Sequence, residues 1–182
     1  MEINKDVEEV LLSEEQIVNK CKELGKKISE DYEGKRPILI GLLKGSVPFL
    51  AELIKHITIE IEIDFIRVSS YNGAYSSGNV QILSDVSMDI KGRDIIFVED
   101  IIDTGLTLSE VVKKFRTRKV SSLELVTLVD KPEGRKVEGV NAKYSGFNIP
   151  NKFVIGFGLD YNEVYRNLPY IGVLKRSVYE KK

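Results

Sequence analysis

Apolar positions along the chain follow two spacings that alternate. Short continuous apolar runs at 37–43 and 93–98 predict strands that are buried on both faces of a sheet. Apolar residues three and four positions apart predict helices at 13–32, 46–57 and around 108–115. Because strand and helix alternate through the middle of the chain, we expect an α/β fold with a mostly parallel, twisted, doubly wound sheet flanked by helices.

Further strands are predicted on both sides of this central part. In the segment 59–68, Ile59, Ile61, Ile63 and Phe65 alternate with acids, which is typical of a half-buried strand. The remaining strands are predicted around 80–83, 121–130, 152–160 and 170–174. The segment 69–79 has no apolar periodicity and is predicted to be a long mobile loop.

The second continuous run ends in a cluster of acids. Glu99, Asp100 and Asp103 lie at the tip of a buried strand, where charges are costly unless cations, hydroxyl groups or backbone N–H groups meet them. The next residues, 104–107, open a helix, and the free N–H groups of a first helical turn suit a phosphate. A sugar phosphate satisfies both halves of this turn, whereas a capped helix with solvated acids explains one carboxylate better than three.

Composition limits the other possibilities. The chain has 182 residues, 30% of them charged, and a formal net charge of -1, which argues against nucleic acid as a partner. Cys21, the only cysteine, is predicted to be a core residue, and a single histidine offers little for a catalytic triad. No apolar stretch approaches the roughly 20 residues of a membrane span, and the N-terminus lacks the pattern of a signal peptide. We therefore expect a cytoplasmic protein without membrane contact.

Known motifs of other protein classes do not fit. The chain lacks the phosphate-binding motifs G-x-x-x-x-G-K-[ST] and G-x-G-x-x-G. Its Asp-Thr-Gly leads into a helix, whereas the Asp-Thr-Gly of aspartic proteases lies in an all-β context. The segment V-E-D-I-I-D-T-G-x-T (98–107) instead resembles the phosphoribosyl diphosphate (PRPP) motif of the type I phosphoribosyltransferases, in the version of the hypoxanthine-guanine enzymes. Further similar segments are L-L-K-G-S (42–46), D-F-I-R-V-S-S-Y (64–71), D-K-P (130–132) and 146–174.

This resemblance implies a fold and a reaction. The fold would be a single domain, 1–182, with a small hood formed by the N- and C-terminal segments and 69–79 as a flexible lid over the active site. The reaction would transfer the 5-phosphoribosyl group from PRPP to N9 of a 6-oxopurine, hypoxanthine or guanine, giving IMP or GMP and pyrophosphate in purine salvage. The family's habit and the apolar segment 47–54 also lead us to expect a homodimer or homotetramer.

Site residues follow from the matching motifs, on the side of the sugar and its phosphate. Glu99 and Asp100 would hold the ribose hydroxyls, directly or through Mg²⁺ and water. Asp103, the catalytic residue, would lie against purine N7 as general base or acid, or as a hydrogen-bond partner. The 5'-phosphate would lie on the backbone of Asp103 and on the residues Thr104, Gly105, Leu106 and Thr107. Many relatives carry lysine where this chain has Leu106.

The purine and pyrophosphate sides are assigned in the same way. Lys131 would donate to the purine O6, Phe153 would stack on the base, and the backbone of Val154 would read its edge, although both strand residues also suit a core. The remaining implied residues are Lys44, Gly45 and Arg166 for pyrophosphate, Asp160 for Mg²⁺ on the pyrophosphate side, and Ser70 with Tyr71 in the lid. In the family a cis peptide bond is common at the position of Lys44-Gly45.

Two other functions stay open. One is a phosphoribosyltransferase that prefers xanthine, because the choice among 6-oxopurines depends on fine geometry. Adenine fits less well, since it presents a donor where Lys131 also donates. The other is a non-catalytic regulator that senses nucleotides on the same fold.

Overall fold

The computed structural model describes residues 4–70 and 80–180. Most of the expected lid, 71–79, lies outside the described residues, so that prediction is untested. The described elements, in chain order, are β1 (Val7–Leu12), α1 (Glu14–Asp31), β2 (Ile38–Leu43), α2 (Ser46–Leu53), β3 (Glu62–Ser70), β4 (Val80–Ser84), β5 (Asp94–Ile102), α3 (Leu106–Arg116), β6 (Ser122–Asp130), β7 (Tyr144–Asn148), β8 (Val154–Ile155), β9 (Ile171–Leu174) and α4 (Arg176–Tyr179).

A six-stranded sheet carries the fold, with the strand order β4-β3-β2-β5-β6-β7. All neighbours are parallel except β3 and β4. The α/β fold with a mostly parallel sheet is therefore confirmed. The crossovers that join parallel strands place helices on both faces, as such connections require.

The continuous apolar runs are explained by helices on each face of the central strands. Along β2, Leu39 packs in a core with α1 and α2, whereas Ile38 and Ile40 pack in a second core with α3. A strand whose two faces are both covered cannot alternate with polar residues, because each polar group would be buried. At the start of α1, Ser13 and Gln16 form the expected capping box, which satisfies free N–H groups of the first turn.

The hood is a separate three-stranded antiparallel sheet with the order β1-β9-β8. It joins the N-terminal strand to the C-terminal part of the chain, as the resemblance implied. The strand predicted over 152–160 is wrong in extent, because only Val154 and Ile155 form a strand, while Gly156 and Leu159 make an isolated bridge with each other. Gly156, Phe157 and Gly158 have positive φ, which ends the strand in a tight turn. Asp160 therefore follows a hood strand and not a strand of the parallel sheet.

The strand predicted over 59–68 begins later and has a different inner face. In β3, Ile66 is fully buried, while Phe65 keeps 36% of its surface exposed. Ile63 packs against the first core and Ile66 against the second, so both faces of this strand are used. The alternation in the sequence holds best in the approach to β3, where Ile59 and Ile61 are half-buried against the first core and Glu60 is exposed.

The apolar segment 47–54 does not form the surface that we expected. Phe49, Leu50 and Leu53 on α2 are buried in the protein's own core, and the exposed residues of this segment are Val47 and the small Ala51. The expectation of a homodimer or homotetramer therefore gains no support from this helix. Among residues 4–70 and 80–180, no helix combines the length and the apolar character needed to cross a bilayer.

Candidate active site

Two adjoining cavities open where β5 and β6 end. The larger, about 230 Å³, is lined by Asp100, Ile101, Asp103, Lys131, Phe153, Val154, Leu159 and Asp160. The smaller, about 150 Å³, is lined by Glu99, Ile101, Ile102, Asp103, Thr104, Gly105, Thr107 and Leu108. Asp103 lines both cavities, so a ligand that spans them would lie beside the Asp103 side chain.

The acids Glu99 and Asp100 lie near the C-terminal end of β5. Burial raises the pKa of Glu99 well above its usual value, and the nearby Asp100 raises it further. The Glu99 Oε2 atom is buried without a hydrogen-bond partner among the described residues. Burial also raises the pKa of Asp100 to about 6, although its Oδ1 accepts a bond of 2.9 Å from the Ile101 N–H. Such acids suit a partner that brings hydroxyl donors or positive charge.

A glycine brings the turn after β2 against this pair. A Cβ atom at Gly45 would lie 1.8 Å from Asp100 Oδ2, so only glycine allows the two segments to approach this closely. The peptide bond between Leu43 and Lys44 is cis, one position before the Lys44-Gly45 bond that we considered. The Lys44 side chain is exposed, and its Nζ donates to Glu163 Oε2 at 2.7 Å.

Asp103 and Lys131 meet between the ends of β5 and β6. The Lys131 Nζ lies 3.2 Å from Asp103 Oδ2, with 7% of the lysine side chain and 46% of the aspartate side chain exposed. A buried ammonium group is costly without a partner, and here the carboxyl group of Asp103 supplies it. The pair thus presents an acceptor and a donor side by side at the entrance of the larger cavity.

The residues 104–107 form the start of α3. Gly105 has φ 75° and ψ -3°, the left-handed conformation that glycine adopts without steric cost. The helix continues for eleven residues from Leu106, with Leu108, Val111 and Phe115 on its buried face. The N–H groups of its first turn have no partner within the helix and lie beside the smaller cavity, which makes the turn suitable for an anion. The Leu106 side chain is 49% exposed and does not line that cavity.

The hood supplies the opposite wall of the larger cavity. Phe153 is 38% exposed, stacks on Tyr179 at 5.0 Å and meets the edge of Tyr161 at 5.7 Å. Val154 is buried, pairs with Val173 in the hood sheet and also lines the cavity. Val154 is therefore a core residue, and this does not remove its backbone from the cavity wall.

An ion-pair network lies on the loop after β8. Arg166 Nη2 contacts Asp160 Oδ1 at 2.8 Å and Glu163 Oε1 at 3.5 Å, and Arg166 Nη1 donates to the Gly158 carbonyl at 2.6 Å. Glu163 in turn binds Lys44, so one carboxylate bridges the two cations that we associated with pyrophosphate. Asp160 is close enough to Asp100 for its charge to raise the Asp100 pKa, after the larger effect of burial.

The structure thus brings together nearly all residues that the motifs indicated. Ser70 ends β3, and Tyr71 lies outside the described residues, so the lid pair stays a prediction. Sequence reasoning missed Glu163 and Arg135. Arg135 Nη1 donates to the Asp103 carbonyl at 3.2 Å, and Arg135 also forms a salt bridge with Asp130. The only signal for Arg135 was its place three residues after D-K-P, and a surface arginine would look the same.

A metal ion would need oxygen ligands from this cluster. Within the described ranges, no three His, Cys, Asp or Glu side chains converge closely enough to hold an ion alone. The partnerless Glu99 Oε2 and the neighbouring Asp100 nevertheless suit a hard cation, and Mg²⁺ binds through one or two carboxylates together with substrate oxygens and water. The residues present therefore fit a magnesium ion that arrives with a ligand.

Comparison with known proteins agrees with this geometry. The phosphoribosyl transferase domain family matches residues 8–162. The chain belongs to this family. It is 56% identical over 180 residues to a hypoxanthine-guanine phosphoribosyltransferase of Streptococcus thermophilus, covering 98% of this chain and 99% of that one. It is 57% identical to one of Lactococcus lactis, with 98% and 97% covered.

Solved structures of this family have the same fold. A hypoxanthine phosphoribosyltransferase from Staphylococcus aureus superposes with a TM-score of 0.94 at 50% sequence identity, over 99% of this chain and 100% of that chain. The type I phosphoribosyltransferase fold, which the sequence implied, is thereby confirmed.

Proposed function

We propose that this protein is a purine salvage enzyme that transfers the 5-phosphoribosyl group from PRPP to N9 of hypoxanthine or guanine, releasing pyrophosphate. The observation that carries the proposal is the position of Asp103 at the junction of the two cavities. The smaller cavity offers the first-turn amides of α3 to a 5'-phosphate, and the larger offers Lys131 and Phe153 to a base. A nucleoside monophosphate has these same two ends, and the sugar between them would face the carboxylates.

The acids suit the reacting sugar. Loss of pyrophosphate leaves positive charge at the anomeric carbon, and the nearby carboxylates Glu99 and Asp100 stabilise such charge in a site with little water. These acids would also accept hydrogen bonds from the ribose hydroxyls. Asp103 would exchange a proton with purine N7 or hold that atom in place, since it lies beside both the sugar and the base.

Magnesium would act with these residues. Glu99, Asp100 and Asp160 would hold it, and the ion would neutralise the diphosphate and improve it as a leaving group. Lys44, the Gly45 backbone and Arg166 would contact the departing pyrophosphate, which requires that Glu163 release them. Ser70 and Tyr71 would close over the same end and keep water from the anomeric carbon.

Preference for a 6-oxopurine is expected from Lys131. Its ammonium group is nearly buried and can only donate hydrogen bonds, so it pairs with an oxygen at purine C6 and not with the amino group of adenine. Xanthine carries the same oxygen. Measuring xanthine beside hypoxanthine and guanine therefore decides between the proposed enzyme and the xanthine-preferring alternative.

The first test is an absorbance assay of each purine with PRPP and magnesium, run on the wild type and on Asp103→Asn. The amide keeps the size of the side chain and an acceptor for Lys131, but it cannot carry a proton to or from N7. We expect kcat to fall roughly 10²- to 10⁴-fold. Asp85→Asn is the matched control, because Asp85 pairs with Arg118 and lines neither cavity.

Two outcomes contradict the proposal. A wild type that converts no purine overturns the enzyme and favours the nucleotide-sensing regulator. An Asp103→Asn variant with wild-type kcat overturns the role of Asp103 alone.

The expected homodimer or homotetramer and the cytoplasmic location are part of the proposal. Light scattering of the purified protein tests the oligomeric state.

A further inference from the structure

Arg135 makes an unusual pair of contacts for a residue that lines neither cavity. Its side chain is only 17% exposed. One nitrogen, Nη1, donates to the backbone carbonyl of Asp103, and the other, Nη2, is bound by the carboxylate of Asp130. Asp130 is the last residue of β6 and is in register with Ile102, the residue before Asp103. The guanidinium group therefore ties the end of one strand to the turn that follows its neighbour.

The same short segment contacts the acidic turn at further points. A Cβ atom at Gly105 would lie 3.2 Å from Arg135 Cδ, so the arginine stem rests on the Gly105 backbone. The N–H of the next residue, Lys136, donates to the Thr104 carbonyl at 3.0 Å. The backbone of 103–105, including its left-handed glycine, is thus held from outside by 135–136. Without these contacts the turn depends on its own first helical hydrogen bonds.

We propose that Arg135 is a positioning residue that fixes the Asp103 backbone and the phosphate-binding turn relative to Lys131. This inference rests on the proposed function, because it assigns a task to the turn on which the 5'-phosphate would lie. In this role Arg135 neither contacts the substrate nor transfers a proton. Its planar group meets a carbonyl and a carboxylate at once, which the single ammonium of lysine does not reproduce.

The role predicts that two ligands of the same site respond differently. IMP would place its phosphate on the turn that Arg135 holds, so its affinity depends on that geometry. Inorganic pyrophosphate would lie against Lys44 and Arg166, which belong to other segments and do not contact Arg135. A variant that merely lowers stability changes neither affinity when binding is measured well below its unfolding temperature.

The experiment measures binding of IMP and of pyrophosphate with magnesium by calorimetry, together with the kcat and KM of purine conversion. The variants are Arg135→Met, which keeps the stem on Gly105, and Arg135→Lys, which keeps the charge. We expect Arg135→Met to raise the Kd of IMP roughly tenfold, as loss of a hydrogen bond from a charged group implies. We also expect kcat/KM for PRPP to fall roughly 10- to 100-fold. The Kd of pyrophosphate should change by less than about twofold, and lysine should restore little.

Two further variants keep the test decisive. Asp130→Asn leaves Arg135 in place but weakens its anchor, so it should shift the Kd of IMP in the same direction even if Arg135→Met folds poorly. Arg118→Met is the control, because Arg118 also forms a two-point pair with a carboxylate, Asp85, and does not contact the turn. It should leave both affinities unchanged.

The results separate this role from the proposed function. An active wild type whose Arg135→Met and Asp130→Asn variants bind IMP normally overturns the positioning role and leaves the enzyme intact. An equal loss of affinity for IMP and pyrophosphate also overturns it, since that indicates a general disturbance. A wild type that converts no purine overturns the proposed function and this role with it.

Discussion

Two glycines bring backbone unusually close to the acids of the site, and a third lies equally close to one of these two. A Cβ atom at Gly45 would lie 1.8 Å from Asp100 Oδ2, and one at Gly134 would lie 2.4 Å from Asp103 Oδ1. A Cβ atom at Gly158 would lie 1.9 Å from the Gly45 carbonyl oxygen. Contacts this short do not exist for real side chains, so a methyl group at any of these positions must displace a neighbour. The carboxylates are therefore held against backbone on one side and face the cavities on the other.

Gly134→Ala tests this at Asp103. The φ of Gly134 is not positive, so alanine is compatible with the backbone, and the clash falls on the end of the Asp103 side chain. We expect the carboxylate to move away from purine N7 and kcat to fall roughly 10- to 100-fold. The melting temperature should change little, and both are measured on the same preparation.

The control is Gly34→Ala, which should give the opposite pattern. Gly34 has φ 71° and nothing near its missing Cβ atom, so alanine there is strained but touches no neighbour. We expect a loss of about 1 kcal/mol in the free energy of unfolding and unchanged kcat. Full activity in Gly134→Ala would contradict the close approach that the structure places at Asp103.

Cys21 yields a second prediction at this scale. Its side chain is fully buried on α1, and burial, assisted by the charge of Glu52, raises the pKa of the thiol to about 12. The reactive thiolate is therefore nearly absent at a pH of about 8. We expect no reaction with a thiol-specific reagent in the native protein and one equivalent after addition of urea. Rapid labelling of the folded protein would show that α1 opens or packs differently.

The sequence predicted the side chains that line the site better than it predicted the residues that hold them in place. Three acids at the end of an apolar strand are costly to bury, so the order of residues alone indicates a function there. Arg135 and Glu163 carry no such signal, because each acquires its partners from a distant segment. The glycine contacts are equally invisible, since the missing atom matters only after two segments approach.

The C-terminal end of α1 is joined to β7 by one hydrogen bond. The Tyr144 ring is buried, and its hydroxyl group donates to Asp31 Oδ2 at 2.7 Å, while Lys143 contacts the same oxygen at 3.1 Å. These two partners, Tyr144 first, lower the pKa of Asp31. A carboxylate with a lowered pKa in the folded state stabilises the protein above its unfolded pKa, and this contribution is lost as the pH falls through the folded pKa.

Tyr144→Phe keeps the ring and removes this bond. Because Asp31 is partly exposed, we expect a loss of only about 1 kcal/mol in the free energy of unfolding at neutral pH. The difference from the wild type should shrink as the pH is lowered through the acid range, where Asp31 becomes protonated. Urea unfolding at several pH values measures it, and a constant difference down to the lowest pH would contradict the role of the charge.

Elements were predictable where pattern and environment agree. The runs of β2 and β5 are apolar throughout because helices cover both faces, and α1 combines a capping box with one apolar face. The strand predicted over 152–160 was too long because its apolar residues also form a turn of positive φ, where the sequence has glycine at 156 and 158. An apolar run does not reveal whether its residues pair with a neighbouring strand or line a cavity.

At the scale of the molecule, the chain ends close the hood over the sheet. The Tyr165 hydroxyl group donates to Asp6 Oδ2 at 2.9 Å, which fastens the loop of Asp160 and Arg166 to the N-terminal segment. The hydroxyl group of Tyr170, the residue before β9, accepts a bond of 2.8 Å from the Asn4 N–H of the same N-terminal segment. Long-range contacts of this kind follow from topology, and only the resemblance to a known family predicted the hood.

Tyr165→Phe should loosen the loop that carries Arg166. We expect the Kd of pyrophosphate to rise about 2- to 5-fold, as loss of one neutral-to-charged bond at a partly exposed site implies. Tyr170→Phe removes the other tyrosine bond to the N-terminal segment and leaves the Tyr165 bond in place, so pyrophosphate should bind this variant as it binds the wild type. Calorimetry with magnesium present compares the three proteins, and equal affinities in all of them would contradict this coupling of loop and chain end.

The division of the larger cavity between two sheets has an evolutionary consequence. The wall that contains Phe153, Val154 and Asp160 belongs to the hood, whereas Asp100, Asp103 and the helix N-terminus follow the parallel sheet. Descendants of this gene can therefore change how the base is packed through drift in a few hood codons, while the contact of Lys131 to the base and the chemistry of the sugar are inherited unaltered. Gly156 and Gly158 are barred from such change, because a Cβ atom at either would lie about 2 Å or less from a backbone carbonyl oxygen.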